Sequence, residues 1–197
     1  MKKWLLFLIL LVSTSLYAQV RRDSVYLDLK LYQVVYSEVL EQPKMVHYYV
    51  ECPNGTASRK GLDFVFYKGV HSSDSKDYAD NPYDKGHMAP AASMSCDSQT
   101  IKATFYYINC ALQHQDLNRG AWKDLEQFER NLAKVGQKVE VTIRVDFKGA
   151  KKLPTGATIP SGFWKTIRVN NTTYEFYFPN KTPERSDFME YQTKCCQ

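Results

Sequence analysis

The stretch YDKGHMAPAA, residues 83–92, carries one of only four histidines in the chain. Gly86 stands directly before His87, Pro90 follows three residues later, and Asp84 and Lys85 lie just upstream. Glycine frees the backbone from limits that a Cβ imposes. Proline fixes φ and stops a regular helix or central strand. Together they hold a short segment in one shape. A general base needs such positioning, because proton transfer depends steeply on geometry. An imidazole with its ordinary pKa of about 6.5 is largely neutral near pH 8 and can accept a proton. A histidine in a plain surface turn fits the same residues, so the motif gains meaning only from its company.

That company lies downstream, in NCALQHQDLNRGAWKDLEQFER, residues 109–130. Trp122, Leu125, Phe128 (or Glu129) and Leu132 recur at three- and four-residue spacings, which predicts one amphipathic helix over residues 117–137. Asn118 lies just ahead of it as a candidate cap, and Gly136 ends it. At about 100° per residue, Asn118 and Glu126 differ by roughly 80° around the axis and share one side. Glu126 and Arg130 are four apart in the favourable acid-then-base order, which by itself describes a surface ion pair.

The surroundings are richer in strands. Residues 24–51 are dense in β-branched and aromatic residues and read as one or two strands broken at Glu41-Gln42-Pro43. Residues 54–61 are a turn cluster, and LDFVFY, residues 62–67, is a short strand candidate. Residues 71–83 read as a surface loop, and residues 97–104 as helical or irregular. TFYYINCALQ, residues 104–113, reads as a buried strand. KVEVTIRVDFKG alternates as a strand, and ATIPSGFWKTIRV and TTYEFYFPN are two more, joined at Asn170-Asn171. Many strands around one long helix give an α+β class with a mostly antiparallel sheet.

The first residues have a different character. MKKWLLFLILLVSTSLYA, residues 1–18, runs from two lysines through a short apolar core to a small residue, the layout of a secretory signal peptide. The apolar run falls short of the roughly 20 residues that span a bilayer. Residues 19–197 then form one domain, exported to a periplasmic or extracellular space. The formal charge is +5, and loss of Lys2 and Lys3 leaves +3, a mild excess that permits a polyanionic partner without demanding one. Five cysteines in an exported chain make disulfides plausible and leave at least one thiol over; the pairing is open. No Cys-x-x-Cys exists, which disfavours a cysteine zinc cage. The 14 tyrosines and 10 phenylalanines are read as core rather than as a base-stacking platform.

Taken in order, three stretches resemble the DNA/RNA non-specific endonucleases, nucleases of the ββα-metal (His-Me finger) group. YDKGHMAPAA is similar to the family's D-R-G-H-x-x-P signature. Residues 109–130 are similar to its N-x-x-x-Q run followed by N-x-G-x-W-x-x-L-E and a later arginine. IPSGFWKTI, residues 159–167, is similar to its late strand, P-x-x-F/Y-W/Y-K.

The resemblance implies a ββα-metal fold with a central metal-site helix, and hydrolysis of DNA and RNA with little sequence preference. His87 would be the general base. Asn118 would be the direct protein ligand of one Mg²⁺ (or Mn²⁺ or a similar divalent ion), with Glu126 holding its water shell. Asn109 would shape the site, and Arg130 would support Glu126 and the phosphate. Arg59, in ASRKGLDF, is the candidate phosphate clamp. Lys85 stands where the family usually has arginine, keeping charge but losing the planar fork. NCALQ replaces the commoner N-M-A-P-Q. Asp84 stabilises the loop or is simply solvated. Two other readings stay open: an inactive nucleic-acid-binding module, and a disulfide-stapled envelope interaction domain.

Overall fold

The computed structural model describes residues 20–193, so the signal-peptide reading and Cys195 and Cys196 lie outside the described residues. The strands, in chain order, begin with β1 (Val25–Asp28), β2 (Tyr32–Ser37), β3 (Gln42–Tyr49) and β4 (Tyr83–His87). Then come α1 (Ser98–Ala103), β5 (Cys110–His114), α2 (Gln115–Arg119) and α3 (Ala121–Lys134). The chain closes with β6 (Val139–Asp146), β7 (Lys151–Lys152), β8 (Thr158–Ile159), β9 (Gly162–Val169) and β10 (Thr172–Pro179). Among the described residues no helix is long and apolar enough to cross a membrane.

One antiparallel six-stranded sheet, in the order β1-β2-β3-β6-β9-β10, forms the floor. Alternation along each strand turns one face inward: Tyr32, Val34 and Tyr36, then Val46 and Tyr48, then Val141 and Ile143 are buried. On β9 the inward set is Phe163, Lys165, Ile167 and Val169, so a lysine occupies a core position. Trp122 and Leu125 of α3, Leu117 of α2, and Met88 and Ile108 join the same core.

The N-terminal region holds three strands instead of one or two. The break falls at residues 38–41, with Glu41 in the left-handed region at φ 56°, and Pro43 lies inside β3 opposite a register shift between Val35 and Tyr36. A bulge is where a strand tolerates proline. LDFVFY is no strand; only Val65 makes an isolated parallel bridge, to Tyr106. Residues 98–103 are helical because Asp97 caps the backbone N–H groups of Gln99 and Thr100, each at 2.8 Å.

A second layer, the antiparallel β4–β5 hairpin followed by α2 and α3, sits on the sheet. Side-chain amides fasten it. Gln42 Oε1 accepts from the Leu112 N–H (2.9 Å), and Asn180 Nδ2 donates to the Leu112 carbonyl (2.8 Å). Both meet backbone groups of β5 that a strand edge leaves unpaired. The predicted single helix is two. Gly120 separates α2 from α3, at a position where an added Cβ would lie 2.8 Å from the Asp116 carbonyl oxygen. Asn118 is therefore inside α2, whose cap is His114, and it is not the cap of the long helix. Helix α3 ends at Lys134, with Gly136 at φ 81° beyond it.

Candidate active site

His87 closes β4, opposite Cys110 of β5. Gly86 precedes it in regular strand conformation, so its role is space, not an unusual φ: an added Cβ would lie 2.4 Å from the Gln113 Oε1. The His87 ring packs against Phe64 (centroids 4.8 Å apart) and edge-on to Phe105 (4.9 Å). Its Nε2 is buried and has no hydrogen-bond partner among the described residues. Burial, and then the nearby Arg59 charge, pushes the His87 pKa down to about 3. The imidazole is thus neutral at ordinary pH.

Behind the ring, Asn109 is fully buried. Its Oδ1 accepts from the Ala89 N–H (2.8 Å), and its Nδ2 donates to the carbonyls of Ala89 (2.9 Å) and Thr104 (3.0 Å). Its own carbonyl accepts from the Met88 N–H at 2.9 Å. These bonds fix the two residues after His87.

Asn118 and Arg119 approach from α2. Asn118 Nδ2 donates to Asp84 Oδ2 (2.9 Å), and Arg119 donates to both oxygens of the same carboxylate (2.8 and 2.6 Å). A carboxylate only accepts, so the amide nitrogen must face Asp84 and the Asn118 Oδ1 is left for the cleft. Burial raises the Asp84 pKa, but the bonds from Arg119 and Asn118 outweigh it and hold the carboxyl below its usual range.

Glu126 and Arg130 come from α3. Burial pushes the Glu126 pKa up to about 7, with Lys165 opposing and Glu129 reinforcing the shift. Arg130 gives Nη2 to Gln127 Oε1 (2.9 Å), while its Nη1 is buried without a hydrogen-bond partner among the described residues. The ion pair expected between Glu126 and Arg130 is absent among the described residues.

One cleft of about 440 Å³ gathers Arg59, His87, Asn118, Glu126 and Arg130 from a loop, a strand and two helices. Pro90, Ala91 and Ala92 form another part of its wall. Arg119 and Lys123, which the motifs did not single out, also line it, so four basic side chains face one carboxylate. Such a cleft suits a phosphodiester. Lys85 stands outside this lining, with Nζ 3.5 Å from Asp63 and 5.5 Å from the ring centroids of Phe64 and Tyr107. Phe64 and Phe105, the walls of the histidine, and buried Gln113 beneath Gly86 also escaped the sequence reading. Only the N-x-x-x-Q spacing hinted at Gln113.

A hairpin delivering a histidine beside a helix-borne asparagine is the architecture that the motifs anticipated. The model of the DNA/RNA non-specific endonuclease family matches residues 15–197. The chain belongs to that family. A nuclease of Serratia marcescens is 36% identical over 120 residues, covering 55% of this chain and 45% of that protein. Human mitochondrial endonuclease G is 34% identical over 90 residues, covering 44% and 30%. The mitochondrial nuclease of Saccharomyces cerevisiae is 39% identical over 128 residues, covering 57% and 36%. The chain spans less than half the length of these relatives. A crystal structure of an EndoG/EndoGI complex superposes with a TM-score of 0.74 at 24% identity, over 85% of this chain and 79% of that one. The fold is accordingly the α+β, ββα-metal type.

Proposed function

We propose that residues 19–197 form an exported endonuclease that hydrolyses phosphodiester bonds of DNA and RNA with a divalent metal ion and little sequence preference. Residues 1–18 are its signal peptide. The observation that carries this reading is the pairing within one cleft of the partly exposed His87 with Asn118, whose amide is turned by Asp84.

The donors suit a hard cation of the magnesium type. The Asn118 amide oxygen and the Glu126 carboxylate are oxygen ligands, and such ions keep several waters. Asn118 would hold the ion directly, and Glu126 would hold its water shell. When bound, the ion would supply positive charge to stabilise the leaving group.

The remaining chemistry belongs to side chains. The His87 imidazole takes a proton from the attacking water as its oxygen bonds to phosphorus and the bond to O3′ breaks. Arg59 and Arg130 meet the phosphate oxygens, where negative charge grows in the transition state. Asp84 and Asn109 act through their neighbours, one fixing the amide and the other the segment after the base. Contacts limited to phosphate read no base edge, which accounts for low sequence preference and implies salt sensitivity.

Digestion of plasmid DNA and of RNA, with magnesium and with EDTA, tests the proposal. The wild type should cut both substrates only with metal. His87→Ala should lose about 10²–10⁴-fold in rate while keeping the wild-type melting transition. Full activity in metal-replete His87→Ala defeats the assignment of the base. Binding without cleavage by the wild type identifies a non-catalytic module instead.

A further inference from the structure

The late-strand motif IPSGFWKTI ends its signature on Lys165, a residue that the proposed chemistry leaves unused. Lys165 sits in the middle of the sheet, paired with Ile143 on β6 and Phe176 on β10, and its side chain is fully buried. Its Nζ lies 2.6 Å from Glu129 Oε1 and 4.3 Å from the centroid of the Trp122 ring. The Nζ–Oε1 approach is off the hydrogen-bond directions, so it is charge facing charge. The other Glu129 oxygen accepts from the Tyr48 hydroxyl at 2.7 Å. A buried ammonium is costly unless an anion answers it, and a buried carboxylate likewise.

Helix α3 brings two carboxylates, Glu126 and Glu129, and one guanidinium, Arg130, to this region. Arg130 is four residues from Glu126, the distance at which they pair, yet no ion pair between them is present among the described residues. Lys165 brings a cation to the buried Glu129 from the sheet. Arg130, which lines the cleft, pairs with neither carboxylate among the described residues: its Nη2 donates to Gln127 and its buried Nη1 has no partner. We infer that Lys165 is the internal counter-ion of the α3 carboxylates and a positioning residue of the site, keeping the Arg130 guanidinium free for a substrate phosphate. The inference rests on the proposed role of Arg130 in nuclease action.

A double-mutant cycle on kcat/KM, measured on an oligonucleotide with magnesium, tests it. Lys165→Met leaves Glu129 unanswered, draws Arg130 inward and should cost about 10²-fold, as should Arg130→Ala. The double variant should be no worse than Arg130→Ala within about 3-fold, because both changes act through one guanidinium. Lys165→Met/Glu129→Met removes both charges and should recover to within about 10-fold of wild type. Additive losses in the cycle, wild-type activity in Lys165→Met, or failure of the paired apolar variant to recover each overturn the inference. Loss of the cooperative melt in both Lys165 variants also counts against it, since a pair that merely holds the core together explains that result. A wild type that cuts nothing with metal defeats the nuclease reading itself, a separate outcome.

Discussion

At the scale of single residues, the site depends on which atom of an amide faces which way. Asp84 accepts from Asn118 and from Arg119, so a carboxylate directs the Asn118 oxygen, the ligand we propose for the ion. Partners of this kind are commonly worth 10–100-fold in metal affinity. Asp84→Ala should therefore weaken magnesium binding by about that factor. The check is the rise in melting temperature on adding magnesium, which should be large in the wild type and shifted to higher concentrations in the variant. Equal magnesium titrations would sink the idea.

Charge state is the second residue-scale matter. The Glu126 pKa rises from 4.5 to about 7 on folding, so between those values the native state binds the extra proton, and stability falls as pH rises. The His87 pKa falls from 6.5 to about 3, so there the unfolded state binds the extra proton, and stability is lost as pH falls. The two oppose one another across weakly acidic pH. Glu126→Gln removes only the first. Without metal, it should be more stable than wild type by about 1–3 kcal/mol at pH 8, with the difference shrinking towards pH 5. Urea denaturation in EDTA at both pH values reads this out, and a gap as large at pH 5 as at pH 8 contradicts it.

At the scale of elements, the β4–β5 hairpin and its two helices carry nearly all the residues of the proposed chemistry. Its tightest point is Gly86, where a Cβ would meet both the Oε1 (2.4 Å) and the Cβ (2.6 Å) of Gln113. Gly86→Ala has to push these strands apart, an overpacking that costs typically 1–3 kcal/mol. It should also lower activity, because His87 is the next residue; denaturant midpoint and cleavage rate together check this. The sequence pointed to glycine here but for backbone freedom, since a side chain 27 residues away cannot be seen in a local motif. The same limit explains other differences. Strands β6, β9 and β10 were legible because alternation is a local signal. The break at Gly120 was not, because continuous apolar spacing masked it. LDFVFY has strand composition, yet Phe64 is spent on the walls around His87 rather than on a ladder. The identities of His87, Asn118, Glu126 and Arg130 were readable from ordered motifs, but their shared cleft depends on packing between distant elements.

At the scale of the whole molecule, the cleft has one wall that the ββα unit does not supply. Arg59 lies on the long connection between β3 and β4. Two ties secure this connection to the segment after His87. The Cys52 N–H donates to the Ser93 carbonyl (3.1 Å) and the Ala57 N–H to the Ser95 carbonyl (3.2 Å). The Cys52–Cys96 disulfide, closing a sequence separation of 44, adds a covalent one. The odd cysteine count resolves in part, since Cys110 is free and buried. A loop of that length raises the entropy lost on folding when it is opened, by about 4 kcal/mol in the chain-entropy picture. The Cys52→Ser/Cys96→Ser variant should thus be about 2–5 kcal/mol less stable than the oxidised protein. Because the freed connection bears Arg59, substrate KM should rise at a temperature where the variant remains folded. Chemical denaturation with and without reductant, paired with steady-state cleavage, separates the two consequences. An unchanged midpoint on reduction removes the stabilising role, and an unchanged KM in the folded variant means that the backbone ties alone hold Arg59 in place.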